Sequence, residues 1–94
     1  MRIVWLRAAL KNLDDEAGYI AADQPQAARA VIERITGTVA LLAIQPALGR
    51  PGRVAGTREL VIPQTHYLVP YLVRDDTVIV LRVFHTSRRT PRQW

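Results

Sequence analysis

The apolar residues change their spacing once along the chain, and that switch decides most of what it can fold into. Leu6, Leu10, Leu13, Ala17 and Ile20 recur at three- and four-residue intervals, and so do Ala28, Val31, Ile35, Val39 and Leu42. With 3.6 residues per turn, each set forms a stripe on one side of a helix. Beyond Gly56 the pattern is that of strands, in runs at about 57–62, 66–73 and 77–84. Pro63-Gln64-Thr65 and the tight turn Arg74-Asp75-Asp76 separate them, and Arg2-Ile3-Val4-Trp5-Leu6 opens the chain with one more short β-type run.

The breaks fix how these pieces connect. Asp23-Gln24-Pro25-Gln26 ends one helix and starts the next, with Asp23 as the expected cap, Gln26 three residues on as in a capping box, and Pro25 tolerated in the first turn. So short a link doubles the helices back as a hairpin. Ile32, Leu41 and Ile44 widen the second stripe, and Gly37 reads either as a close helix crossing or as plain tolerance. From Gln45 to Gly56 the periodicity stops in a surface loop containing Pro46, Gly49, Pro51 and Gly52. Short links favour antiparallel strands, and the apolar 77–84 run, interrupted only by Arg82, is expected to be central and covered on both faces. Pro70 lacks an N–H and is expected to keep its end of the middle strand out of the sheet interior. Two helices cover one face of such a sheet. The expectation is a single α+β domain spanning 1–94, an N-terminal strand and helical hairpin on a small, mainly antiparallel sheet with one face open.

Charge is distributed unevenly over that plan. Residues 1–49 carry five basic and five acidic side chains and sum to zero, so the net +5 lies entirely in residues 50–94. There, Arg50, Arg53, Arg58, Arg74, Arg82, Arg88, Arg89 and Arg92 face only Glu59, Asp75 and Asp76. Arginine forks suit carboxylates and phosphates, so an acidic polypeptide or a nucleic acid is the natural partner, against the plainer reading of a solubility surface. Arg82 within an apolar strand requires either a salt bridge, with Glu59 a candidate, or a working surface. On a regular strand Arg82 and His85 face opposite ways, and only a bulge near Phe84 would bring them together. The basic C-terminal segment 86–94 can bind nucleic acid, dock Trp94 on the core, or fray.

Other chemistries find little support. The chain has no cysteine, which excludes thiol chemistry and cysteine-ligated metals and is compatible with the cytoplasm. His66 and His85 supply at most part of a metal site, no carboxylates converge in pattern, and Gly49-Arg50-Pro51-Gly52 lacks the spacing of a phosphate loop. No cofactor and no metal are therefore expected. No run approaches the ~20 apolar residues of a membrane span, and the N-terminus does not read as a signal peptide. A metal-free nuclease would need a base, an acid and cations over the phosphate. The cations are plentiful and the bases few.

Several stretches together resemble the ParE/RelE superfamily of bacterial toxins from type II toxin–antitoxin modules, and the ParE branch most. They are Trp5 with Leu10 and Leu13, Tyr19-Ile20-Ala21 ahead of Pro25 and Ala27-Ala28, and Pro46-x-x-Gly49-Arg50-Pro51-Gly52-Arg53. Gly56-Thr57-Arg58-Glu59-Leu60-Val61 follows, then Tyr71, Asp76, Val78, Ile79, Leu81-Arg82-Val83, His85 and Arg88. The resemblance implies a helical hairpin on a curved sheet, neutralised by a cognate acidic antitoxin in a hetero-oligomer. ParE-like members poison DNA gyrase, whereas RelE-like members cut messenger RNA on the ribosome. For the RelE alternative the matching positions are Arg58, Arg82 and His85. However, Leu68 stands where nuclease members carry an arginine, and their tyrosine near the C-terminus has no counterpart. The resemblance thus implies a non-enzymatic, cytoplasmic gyrase inhibitor, with Arg50, Arg53, Arg58, Arg82, Arg88, Arg89 and Trp94 as its binding residues. A third possibility is a detoxified relative kept as a binding partner or co-repressor.

Overall fold

The computed structural model describes residues 1–87 and Trp94; Arg88 and Arg89 lie outside the described residues. Strand β1 (Arg2–Trp5) leads into helix α1 (Arg7–Ala21), helix α2 (Pro25–Ala40) and a 3-10 turn (Leu41–Ala43). Then come β2 (Arg50–Pro51), β3 (Arg58–Val61), β4 (Tyr67–Arg74), β5 (Thr77–Val80) and β6 (Phe84–His85). The sheet order is β1-β5-β4-β3-β2, with β6 continuing beside β4. All pairings are antiparallel except β1 with β5, where Ile3 lies opposite Val78 and Trp5 opposite Val80. The α+β architecture expected from the spacing is the one found.

Both helices cover the same sheet face. Ala9 of α1, Ile35 and Val39 of α2, and Leu42 pack on Leu60, Ile62, Tyr67, Val69, Tyr71, Val78 and Val80. Strand parity accounts for this set, since alternate residues of β3, β4 and β5 point toward the helices. Between β4 and β5, Asp75 and Asp76 both take positive φ, 50° and 60°, as a two-residue hairpin turn needs.

Three details depart from the sequence reading, and one open alternative is decided. Pro25 is the first residue of α2, so Gln24 rather than Asp23 occupies the cap position, and it makes no side-chain capping bond. Ile44, expected on the buried stripe, is 84% exposed, because α2 ends at Ala40 and the tighter turn that follows rotates the stripe away. Nothing lies within 4 Å of a Cβ placed at Gly37, which favours tolerance over a close crossing.

The third departure concerns Pro70, which is fully buried inside the interior strand β4. Its carbonyl accepts the Leu81 N–H at 2.9 Å, so its missing N–H would have faced Leu81 as well. The ladder lapses there. Val80 lies opposite Tyr71 and Phe84 opposite Leu68, four steps against three, which is a one-residue bulge over 81–83. The Leu81 carbonyl, lacking a partner on Pro70, accepts from Arg82 Nη1 at 2.6 Å, and the Val83 N–H donates to Asn12 Oδ1 of α1 at 3.2 Å. Proline is thus accommodated at a bulge, and the expected continuous 77–84 strand is two strands.

Candidate functional site

Two arginines of the second half, Arg50 and Arg53, meet around one buried carboxylate. Glu59 on β3 points away from the helices and is 3% exposed. Arg53 closes on it three ways: its backbone N–H donates to Oε2 at 2.9 Å, Nε donates to the same oxygen at 2.9 Å, and Nη2 donates to Oε1 at 3.4 Å. Arg50 on β2, opposite Glu59, adds one longer bond from Nη2 to Oε1 at 3.3 Å. Burial alone would raise the Glu59 carboxyl; the Arg53 hydrogen bonds and charge, with Arg50 behind them, outweigh it and hold the group below its ordinary range. The Arg53 guanidinium also lies 5.4 Å from the centre of the Trp94 ring, which packs edge-on against Phe84 at 6.0 Å. Trp94 therefore docks, and with Arg53 it forms a cationic-aromatic layer on the side of the sheet opposite the helices.

A second set of bonds fixes the loop that carries these arginines. Tyr71 is fully buried opposite Arg58; its hydroxyl donates to the Pro46 carbonyl at 2.7 Å and accepts the Gly49 N–H at 2.8 Å. Arg58 Nη1 donates to the Gly49 carbonyl at 2.7 Å. Gly49 has no room for a side chain, since a Cβ would stand 2.6 Å from Tyr71 Cε1. Burial raises the Tyr71 hydroxyl above its ordinary range, against the opposing effects of the Gly49 N–H and the Arg58 charge.

The named candidates therefore divide. Arg50, Arg53 and Trp94 come together. Arg58 does not join them on the open face: it shares the side of Leu60 and Tyr71 and is spent on the loop. Arg82 pairs neither with Glu59 nor with another carboxylate among the described residues, its recorded bond being to Leu81. The bulge turns His85 to the side of Tyr67, where the two rings meet edge to face at 5.0 Å, with His66 5.7 Å away and the Ser87 hydroxyl 2.7 Å from Nδ1. Arg58 and His85 face β4 residues four apart, which is about 13 Å along a strand at ~3.3 Å per residue. Two features went unread in the sequence, the Tyr71–Gly49 lock and the bond from Tyr67 to Glu16 at 2.8 Å. Glycine flanked by Pro46 and Pro51 was the available signal for the first.

Stability should fall at both ends of the pH scale. The depressed Glu59 carboxyl contributes stability that is present above about 4.5 and lost as pH drops through its lower folded value. The raised Tyr71 hydroxyl stays protonated in the fold while the unfolded chain ionises, so stability declines as pH rises past about 10. Denaturant melts across pH check this: Glu59→Gln should flatten the acid limb and Tyr71→Phe the alkaline one.

A helical hairpin on one face of a small mixed sheet, with an arginine cluster at one edge, defines an α+β domain of the ParE/RelE type. The family model described as the ParE toxin of the type II toxin–antitoxin system parDE matches residues 3–90. The chain belongs to this family. It is 44% identical to "Putative toxin Y4kP" of Sinorhizobium fredii over 97% of its own length and 94% of that protein's. It is 33% identical to Toxin RelE2 of Caulobacter vibrioides, over 93% and 97% of the two chains. The structure titled chromosomal ParDE TA system from P. aeruginosa superposes with a TM-score of 0.83 at 25% identity, covering 90% of this chain and 95% of that one.

Proposed function

We propose that this toxin arrests bacterial growth by binding DNA gyrase in the cytoplasm, without cofactor or metal, and that a cognate acidic antitoxin neutralises it in a toxin–antitoxin hetero-oligomer. Membership of the ParE family and the ParDE neighbour support a toxin with an antitoxin partner. Among the described residues no helix is long and apolar enough to cross a membrane. The observation that carries the non-enzymatic reading is the separation of the nuclease candidates. Proton transfer needs groups within hydrogen-bond reach, whereas Arg58 and His85 stand on strand positions about 13 Å apart, and Arg58 and Arg82 are each bonded to a backbone carbonyl. Arg50, Arg53 and Trp94, with Arg88 and Arg89 of the C-terminal tail, supply the binding surface in this reading.

The second reading, a ribosome-dependent endoribonuclease using Arg58, Arg82 and His85, is favoured by one fact, the likeness to a relative named RelE2. Controlled induction separates the two. Growth arrest with a DNA-damage response and intact messages is expected. Arrest with messages cut in the ribosomal A site and no damage response would overturn the gyrase reading, and no arrest at all would overturn both.

A further inference from the structure

Helix α2 buries one side and leaves the middle of the other apolar. Ala28, Ile35 and Val39 face the core. The line directly opposite runs through exposed Ala30 and Gly37 and continues to Leu41 and Ile44. A surface helix ordinarily carries charge along that line. Here Leu41 is 52% exposed and Ile44 84%. Ala30, Glu33, Arg34, Gly37, Thr38 and Leu41 line an open depression of about 460 Å3. Gly37 weakens the helix, and nothing lies within 4 Å of a Cβ placed there, so no other part of the same copy uses the room it leaves.

Two charges flank the line, and they are self-complementary. Among the described residues Glu33 accepts only at Oε1, from Arg29 at 3.3 Å across an exposed pair one turn apart, and Arg34 has no ion pair. Two copies of α2 set antiparallel about a twofold axis between residues 33 and 34 bring Glu33 of each to Arg34 of the other. The same register sets Ala30 against Gly37 one turn to either side of the axis, where the helices approach most closely. It also carries Leu41 opposite Gln26, at the start of the other helix, where Gln24, Pro25, Gln26 and Ala27 line a second depression of about 590 Å3. Net charge does not oppose the approach. Residues 1–49 sum to zero, and the +5 of each copy lies in residues 50–94, beyond this contact. We infer that the free toxin pairs with a second copy of itself through the outer face of α2. Two reciprocal Glu33–Arg34 pairs fix the register, and Leu41 and Ile44 seat at the other copy's helix start. The dimer is independent of gyrase, ribosome and antitoxin.

The test is sedimentation equilibrium of the purified, antitoxin-free full chain from about 1 to about 500 μM, a span suited to a small interface. A reversible monomer–dimer equilibrium with a micromolar Kd is expected. Glu33→Arg and Arg34→Glu should each weaken the dimer roughly tenfold or more, because like charges then meet twice across the axis. Both side chains are exposed, so circular dichroism should stay unchanged. Combining the two substitutions in one chain swaps the partners and should return the Kd to within about threefold of the parent. A chain that stays monomeric over the whole range would overturn the inference. So would a dimer whose Kd neither single variant moves, or one that the combined variant fails to restore. Protection of Leu41 and Ile44 only in a complex with the antitoxin would assign the face to that partner instead, and overturn the self-pairing.

Discussion

Replacing Gly49 with valine is expected to destabilise the protein by about 3–4 kcal/mol, the sum of overpacking and two displaced hydrogen bonds. A Cβ at this position would stand 2.6 Å from Tyr71 Cε1, 2.7 Å from its hydroxyl oxygen and 3.0 Å from the Glu59 carbonyl oxygen. None of the three can yield cheaply. The tyrosine is fully buried and tied to Pro46, and the Glu59 carbonyl belongs to the paired strand. In a domain of this size such a loss lowers the melting temperature by roughly 15–20 °C. The contrast is Gly18→Ala in the middle of α1, where nothing lies within 4 Å of the new methyl group and stability should rise by about 0.5–1 kcal/mol. Paired denaturant melts check both. Equal effects at the two glycines would mean that the Tyr71 lock does not hold the loop.

The second large effect falls on Arg53→Glu. The substitution removes both side-chain bonds that Arg53 gives to Glu59 and sets a carboxylate beside a buried carboxylate, leaving the bond from the backbone N–H of residue 53 and the longer Arg50 contact. Loss of a buried ion pair costs about 3–5 kcal/mol in general, and here about 2–3, because the Arg53 side chain is 37% exposed and its replacement can turn to solvent. The cation over Trp94 also goes. Growth arrest should be abolished, and gyrase inhibition reduced at least tenfold at temperatures where circular dichroism still reports a folded chain. His85→Ala, by contrast, should leave growth arrest intact, because in this account its ring packs on Tyr67 rather than moving a proton. The reverse pattern, with arrest lost in His85→Ala and kept in Arg53→Glu, would favour cleavage over binding.

The fold was legible because periodicity is a local property. Stripes at three- and four-residue spacing gave the helices, alternation gave the strands, and Asp75-Asp76 marked the hairpin. The parallel pairing of β1 with β5 left no such mark, since it joins residues more than seventy positions apart. Pro70 misled for the same reason. Whether a proline fits inside a sheet depends on what the neighbouring strand does opposite it, and here that strand bulges while Arg82 takes the orphaned carbonyl. The site was legible in composition but not in geometry. The excess of arginine marked residues 50–94, yet strand parity alone could not tell that Arg50 and Arg53 would converge on Glu59. Arg58 shows the limit most clearly. It alternates with Glu59 and so shares the side of Leu60 and Ile62, which is the helix side of the sheet rather than the open face.

Binding without cleavage is the claim on which the functional account stands. The direct measurement is supercoiling by purified bacterial gyrase, with the purified, antitoxin-free toxin added over a micromolar range and a translated message incubated alongside. The account predicts that supercoiling stops in proportion to added toxin while the message stays whole. Undiminished supercoiling, with the message cut at codons in the ribosomal A site, would contradict it.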